Sequence, residues 1–229
     1  MAAGVKKLPP LIDGQRLSRE EFMRRYEGLP HVKKAELIGG IVRMPSPVSR
    51  GHGTRDYRLV TWLGVYEAFT PGCEGAANST WLMLDDAPQP DADLRILPEF
   101  GGASGLEGAY AAGAPELIAE ASYRSAALDL GDKKTLYATA GVREYVVLLV
   151  KKNELRWHRL VGGVYKLASI PKDGIIHSKV FPGLWLDVPA LLKNDMAQVL
   201  RALHKGIGSR EHEAFVNLLE ERRLSKLRD

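Results

Sequence analysis

The chain has a single cysteine, Cys73, among its 229 residues. One thiol closes no intrachain disulfide and builds no cysteine cage for zinc, which argues against a disulfide-framed secreted protein and for a reducing, cytoplasmic setting. Long apolar runs are missing too. No stretch approaches the roughly 20 residues that span a bilayer, and Met1 to Pro10 lack the apolar core of a signal peptide, so no membrane association is expected. The six histidines include no pair at HExxH or HxH spacing, which disfavours a zinc hydrolase. GxSxG elbows, Walker loops and GxGxxG fingerprints are absent as well.

What is present suits one sizeable core. A 45% hydrophobic composition over this length fits a single main domain. The formal charge of +4 and a pI near 9.1 permit a phosphate-bearing partner without requiring one. The expected division is a leader over 1–17, a main domain over 18–190 and a helical C-terminal extension over 191–229.

Local patterns give the elements. Ser18 with Glu21 reads as a capping box that opens a short helix to Tyr26. Glu36 to Met44 are two apolar runs around Gly39-Gly40, the pattern of a tight hairpin, which puts Glu36 on a strand. Leu59, Trp62, Leu63, Val65 and Tyr66 recur at helical spacing within 55–69. Short strands are expected in 80–84 and 93–97, and the glycine-rich stretch Phe100 to Gly113 reads as a loop. Leu117 to Ala121 is apolar on both faces except at Glu120, as in a strand buried mid-sheet. A helix from Ser125 to Ala140, ended by Gly141, then leads to a strand from Tyr145, forming a strand-helix-strand crossover. Leu155 to Leu167 form a second hairpin around Gly162-Gly163, Phe181 to Pro189 a last strand, and 191–204 and 211–227 are helical.

Within this frame four residues invite chemistry: Glu36, Asp91, Glu120 and Lys133. Phosphodiester cleavage needs a divalent cation, and hard cations are held by a few carboxylates and carbonyls, which Asp91 and Glu120 can supply. A lysine nearby can position water and offset charge on the phosphate. Asp129, Lys133 and Tyr137 follow at i, i+4 and i+8 on one helical face. Taken singly, Asp91 after Pro90 is an ordinary turn residue, Asp129 with Lys133 an ordinary surface pair, and Glu36 a strand-end charge. Glu120 is different, because a carboxylate inside an apolar run demands a partner or a task. His52, among glycines, is at most a supporting group.

The ordered set Glu36-Leu37-Ile38-Gly39-Gly40, Gln89-Pro90-Asp91, the strand ending in Glu120, Asp129-Leu130-Gly131-Asp132-Lys133, and Tyr137 leading to Gly141-Val142-Arg143-Glu144-Tyr145 resembles the Uma2 family, formerly DUF820, of the PD-(D/E)XK restriction-endonuclease-like superfamily. The resemblance covers about 18–190. It implies an α/β fold with a restriction-endonuclease-like core, a mixed central β-sheet flanked by helices, here with a C-terminal helical appendage. It implies Asp91 and Glu120 as ligands of Mg²⁺ or Mn²⁺, with Glu36 and Lys133 completing a catalytic set. The superfamily's usual lysine position, two after the second acid, holds Ser122; in the Uma2-like pattern the lysine lies on the following helix, where Lys133 stands. Two departures bear on local shape. Tyr123-Arg124-Ser125 replaces a Ser-Pro-Ser-like stretch, and Val146-Val147-Leu148-Leu149 stands where Trp-Val-Val-Asp is common.

The expected function is therefore a metal-dependent endonuclease acting on DNA, with RNA as the other substrate of the same chemistry. A homodimer is the simplest way to cut both strands of a duplex. The competing expectation is a non-catalytic nucleic-acid or protein interaction module that keeps the nuclease fold.

Overall fold

The computed structural model describes residues 8–44 and 50–228, with the His52 side chain outside that description. The first helix, α1 (Arg19–Glu27), is capped by the Ser18 hydroxyl, which accepts from the Glu21 N–H. The expected reciprocal half of the capping box is not made, because the Glu21 carboxylate turns to Arg24 and Arg25 instead. Next come β1 (Glu36–Ile38) and β2 (Ile41–Arg43), an antiparallel hairpin. Its turn needs positive φ at both central residues, and Gly39 and Gly40 supply 61° and 69°. The Asp86 carboxylate accepts from both glycine N–H groups at 2.8 and 2.9 Å. Helix α2 (Arg50–Ala68) begins earlier than the apolar spacing suggested and buries Leu59, Trp62, Leu63 and Tyr66.

The chain continues through β3 (Cys73–Ala76), β4 (Trp81–Leu82), β5 (Ala92–Ile96), β6 (Gly105–Glu107), β7 (Tyr110–Ala112) and β8 (Leu117–Ser122). Helices α3 (Ala126–Leu130) and α4 (Asp132–Ala140) lead to β9 (Glu144–Leu149), β10 (Glu154–Val161) and β11 (Val164–Leu167). Last come β12 (Ile175–His177), β13 (Trp185–Asp187), α5 (Val188–Lys193), α6 (Met196–Ile207) and α7 (Arg210–Lys226). The central sheet has the order β11-β10-β9-β8-β5-β3, in which only β8 and β9 run parallel, joined by the α3–α4 crossover. It is a mixed sheet with β8 and β9 at its centre.

Three local readings are corrected. The stretch Phe100 to Gly113 is not simply a loop: it holds the β6–β7 hairpin, and β7 pairs with β4 from an earlier part of the chain. A partner that distant leaves no mark on local periodicity. The helix expected over Ser125 to Ala140 breaks at Gly131, with φ −108° and ψ −102°. A Cβ at Gly131 would meet the Ala127 carbonyl oxygen at 2.6 Å, so the break relies on glycine. The strand near Trp185 also has a partner, β12, that the pattern did not announce.

Alternation along β8 sorts the core into two layers. Leu117, Ala119 and Ala121 face α2, together with Leu94, Val146 and Leu148; Val199 and Leu203 of α6 and Phe215 and Leu219 of α7 join that cluster. Ile118 faces the other way, with Tyr145 and Val147, against Leu136 and Tyr137 of α4 and Ile38 of β1. Glu120 lies on this second face. Helices thus cover both sides of the sheet, as continuous burial of its middle strands requires.

Two outcomes follow from this packing. Leu203 is fully buried, so Leu203→Ala should cost about 2–5 kcal/mol, read as a lower urea midpoint in one cooperative transition. His158, buried on β10 between Tyr145 and Tyr165, has its imidazole pushed by burial, with help from Lys134, from 6.5 down to about 4. The fold therefore favours the neutral ring, and that stability is complete above pH 6.5 and lost as pH falls toward 4. His158→Gln should remove roughly 2–3 kcal/mol of the acid-side loss, measured as the difference between urea midpoints at pH 7.5 and pH 4.5 in about the same buffer.

Candidate active site

One end of the central sheet gathers the acids. Antiparallel pairing sets Ala92 against Ala119 and Asp93 against Ile118, and the same register continued by one residue sets Asp91 opposite Glu120. Glu36 arrives from the separate β1–β2 hairpin, and Lys133 from the first turn of α4. The Lys133 ammonium lies 2.9 Å from Glu36 Oε1 and 2.9 Å from Glu120 Oε1. Tyr137 O–H donates to Glu120 Oε1 at 3.1 Å, and the Gln89 N–H to Glu36 Oε1 at 2.7 Å. Asp91 Oδ2 accepts from the Ala121 N–H at 2.9 Å, so the backbone of the strand that carries Glu120 also holds Asp91.

Burial sets the electrostatics. Relative exposure is 6% for Glu36, 7% for Asp91, 3% for Glu120, 2% for Asp129 and 3% for Lys133, so water screens these charges little. Burial raises the Glu120 carboxyl well above the usual range; Lys133 opposes this, while Asp91, Asp129 and Glu36 add to it. For Lys133, burial pulls the ammonium down, but Glu120, Glu36 and Asp129 outweigh it and hold it charged well above its ordinary value. Asp129 is raised by burial against the pull of Lys133 and of the Ser125 hydroxyl, 2.5 Å away. Four buried carboxyl groups thus gather around the buried Lys133 ammonium, with the partly exposed Lys34 beside Asp91, and a divalent cation would offset their mutual repulsion.

The structure brings Glu36, Glu120, Lys133 and Tyr137 into direct contact, with Asp91 and Asp129 adjoining them. Asp129 arrives by a different route from the one its spacing suggested, since the Gly131 break interrupts the helix between it and Lys133. Its carbonyl accepts from Tyr145 O–H at 3.0 Å, which fixes α3 against β9. The His52 side chain lies outside the described residues. Two residues were missed as site members. Gln89 clamps Glu36 and bonds Thr80 and Tyr26 through its amide. Lys34 lies 3.5 Å from Asp91 Oδ1. No local pattern pointed to Lys34, because Asp91 lies far from it along the chain.

The donor chemistry fits a hard divalent cation: carboxylates crowd the site, and the one thiol, Cys73, is buried in the α2 layer of the core. Among the described residues no three or more His, Cys, Asp or Glu side chains form a ready cluster for a metal ion. Lys133 instead spans two of the acids.

A family model, Uma2, described as "Putative restriction endonuclease", matches residues 19–189. The chain belongs to the Uma2 family. A crystal structure of "a putative nuclease belonging to DUF820 from Anabaena variabilis ATCC 29413" shares 12% identity with it at a TM-score of 0.54, covering 82% of this chain and 99% of that one. That likeness shows the fold, the restriction-endonuclease-like α/β core expected from the motifs. No curated protein matches the chain. Among the described residues no helix is long and apolar enough to cross a membrane.

In this Uma2 chain, removing the ammonium from between two buried acids should be costly. Lys133→Met leaves Glu36 and Glu120 without their cation and should cost about 3–5 kcal/mol. Adding Glu120→Gln should recover part of that loss, as read from chemical denaturation of the two variants at neutral pH.

Proposed function

We propose that this protein is a Mg²⁺- or Mn²⁺-dependent endonuclease that hydrolyses phosphodiester bonds in DNA. The observation that supports this most is the convergence of Glu36, Asp91, Glu120 and Lys133 from separate segments onto one end of the sheet. Asp91 and Glu120 would hold the cation, Asp91 being kept in position by the Ala121 N–H. When bound, the metal supplies Lewis acidity toward the phosphate and a lowered pKa for the attacking water. The chain's own residues do the rest. Tyr137 and Lys133 orient Glu120, and Lys133, firmly protonated, presents positive charge where the phosphate gains negative charge. Glu36 also restrains Lys133, its Oε1 lying 2.9 Å from the ammonium.

The second reading, a non-catalytic interaction module, has one observation in its favour: Lys133 already neutralises Glu36 and Glu120 in an internal ion network. Metal binding separates the two. Under the nuclease reading, calorimetry shows Mn²⁺ binding that Asp91→Asn and Glu120→Gln abolish, and each variant cuts plasmid DNA slower by on the order of 10²-fold or more. A folded wild type that binds no Mn²⁺, alone or with DNA, would establish the module instead. Matched DNA and RNA oligonucleotides in the same assay identify the substrate.

A further inference from the structure

The site contains a second ammonium with a different character. Lys34 lies in the segment between α1 and β1, with its side chain 26% exposed, and its Nζ is 3.5 Å from Asp91 Oδ1 and 2.6 Å from Asn78 Oδ1. Asn78 is an exposed residue at the rim, held in a left-handed turn at φ 54° with its N–H on the Pro90 carbonyl. Lys133 differs: it is 3% exposed and bonded at 2.9 Å to two acids that would be stranded without it. The Lys34–Asp91 pair is longer and partly wet, and pairs of that kind are weak. Lys34 can release Asp91 and remain tethered to Asn78.

Resting on the metal-site reading above, we propose that Lys34 is an exchangeable cation of the site. It occupies Asp91 in the metal-free protein, yields that carboxylate to the divalent ion, and then contacts a phosphate of the bound nucleic acid from the rim. The charge logic is simple. A divalent ion approaching Asp91 meets a positive charge already in place, so the ammonium must withdraw or weaken metal binding. Once withdrawn, it sits at the mouth of the site as a compact donor on a flexible stem, the form of cation suited to a phosphate oxygen.

The test uses the full chain carrying Lys34→Met, which keeps the aliphatic stem and removes the charge, with Lys34→Arg as the charge-preserving control and thermal melting to confirm folding. Calorimetric titration of Mn²⁺ without nucleic acid should show binding tightened about three- to tenfold in Lys34→Met. Affinity for a short DNA duplex, measured in Ca²⁺, a hard cation that takes the same oxygen donors, should weaken by a similar factor. Lys34→Arg should stay near wild type in both. Unchanged or weakened Mn²⁺ binding in Lys34→Met overturns the proposal, and so does unchanged duplex affinity. Asp91→Asn in the same titration keeps two failures apart. If wild type binds Mn²⁺ and Asp91→Asn does not, the metal site stands and the result for Lys34 is judged separately; if wild type binds none, alone or with the duplex present, the metal site itself falls and the proposal with it.

Discussion

The Lys133 ammonium, held between Glu36 and Glu120, is the interaction on which the site depends. Its two partners belong to different sheets: Glu120 to the central one and Glu36 to the small hairpin. Lysine thereby fixes the spacing of two acids that no backbone hydrogen bond ties directly. Such a buried ionic group contributes little net stability compared with apolar packing, but removing one member is costly, and so it specifies one arrangement. Gln89 reinforces that choice by placing its N–H on the Glu36 oxygen that also faces Lys133.

Around this contact the fold acts as a positioning frame. Apolar alternation along β8 turns Ala119 and Ala121 toward α2 and leaves Glu120 facing α4. Tyr137 and Tyr145 pack edge to face, 5.1 Å between ring centroids, and each reaches a different part of the acid cluster: Tyr137 the Glu120 carboxylate, Tyr145 the Asp129 carbonyl. The phenols stay protonated, since burial and the neighbouring carboxylates raise both well above their ordinary range. They serve as fixed donors, Tyr137 to the Glu120 carboxylate and Tyr145 to the Asp129 backbone carbonyl.

Much of this was legible in the sequence where the cause is local. Gly39-Gly40 marked a hairpin because few other residues accept two consecutive positive φ values, and both glycines adopt them. Glu120 stood out because a carboxylate in an apolar run needs an explanation, and in the structure it lies 2.9 Å from the Lys133 ammonium. What escaped depends on chain segments far apart. The pairing of β7 with β4, the β12 strand and the approach of Lys34 to Asp91 are set by tertiary contacts that no window of neighbouring residues contains. The Gly131 break was hidden for a different reason: isolated glycines occur inside helices, and only the folded backbone, with the Ala127 carbonyl where a Cβ would be, shows that this one sits at a break that a larger residue would not fit.

The parallel pairing of β8 with β9 carries a consequence for synthesis on the ribosome. β8 ends before α3, and its parallel neighbour follows α3 and α4 out of the exit tunnel. The Glu116 carbonyl, just ahead of β8, accepts from the N–H groups of Arg143 and Glu144, so the base of that strand is closed by residues translated later than Lys133. Glu36, Asp91, Glu120 and Lys133 can all have left the exit tunnel while the sheet that aligns them is still unpaired on one side. An incomplete chain therefore holds all four charged residues but not their geometry, and the competence of the site is postponed until the crossover has closed.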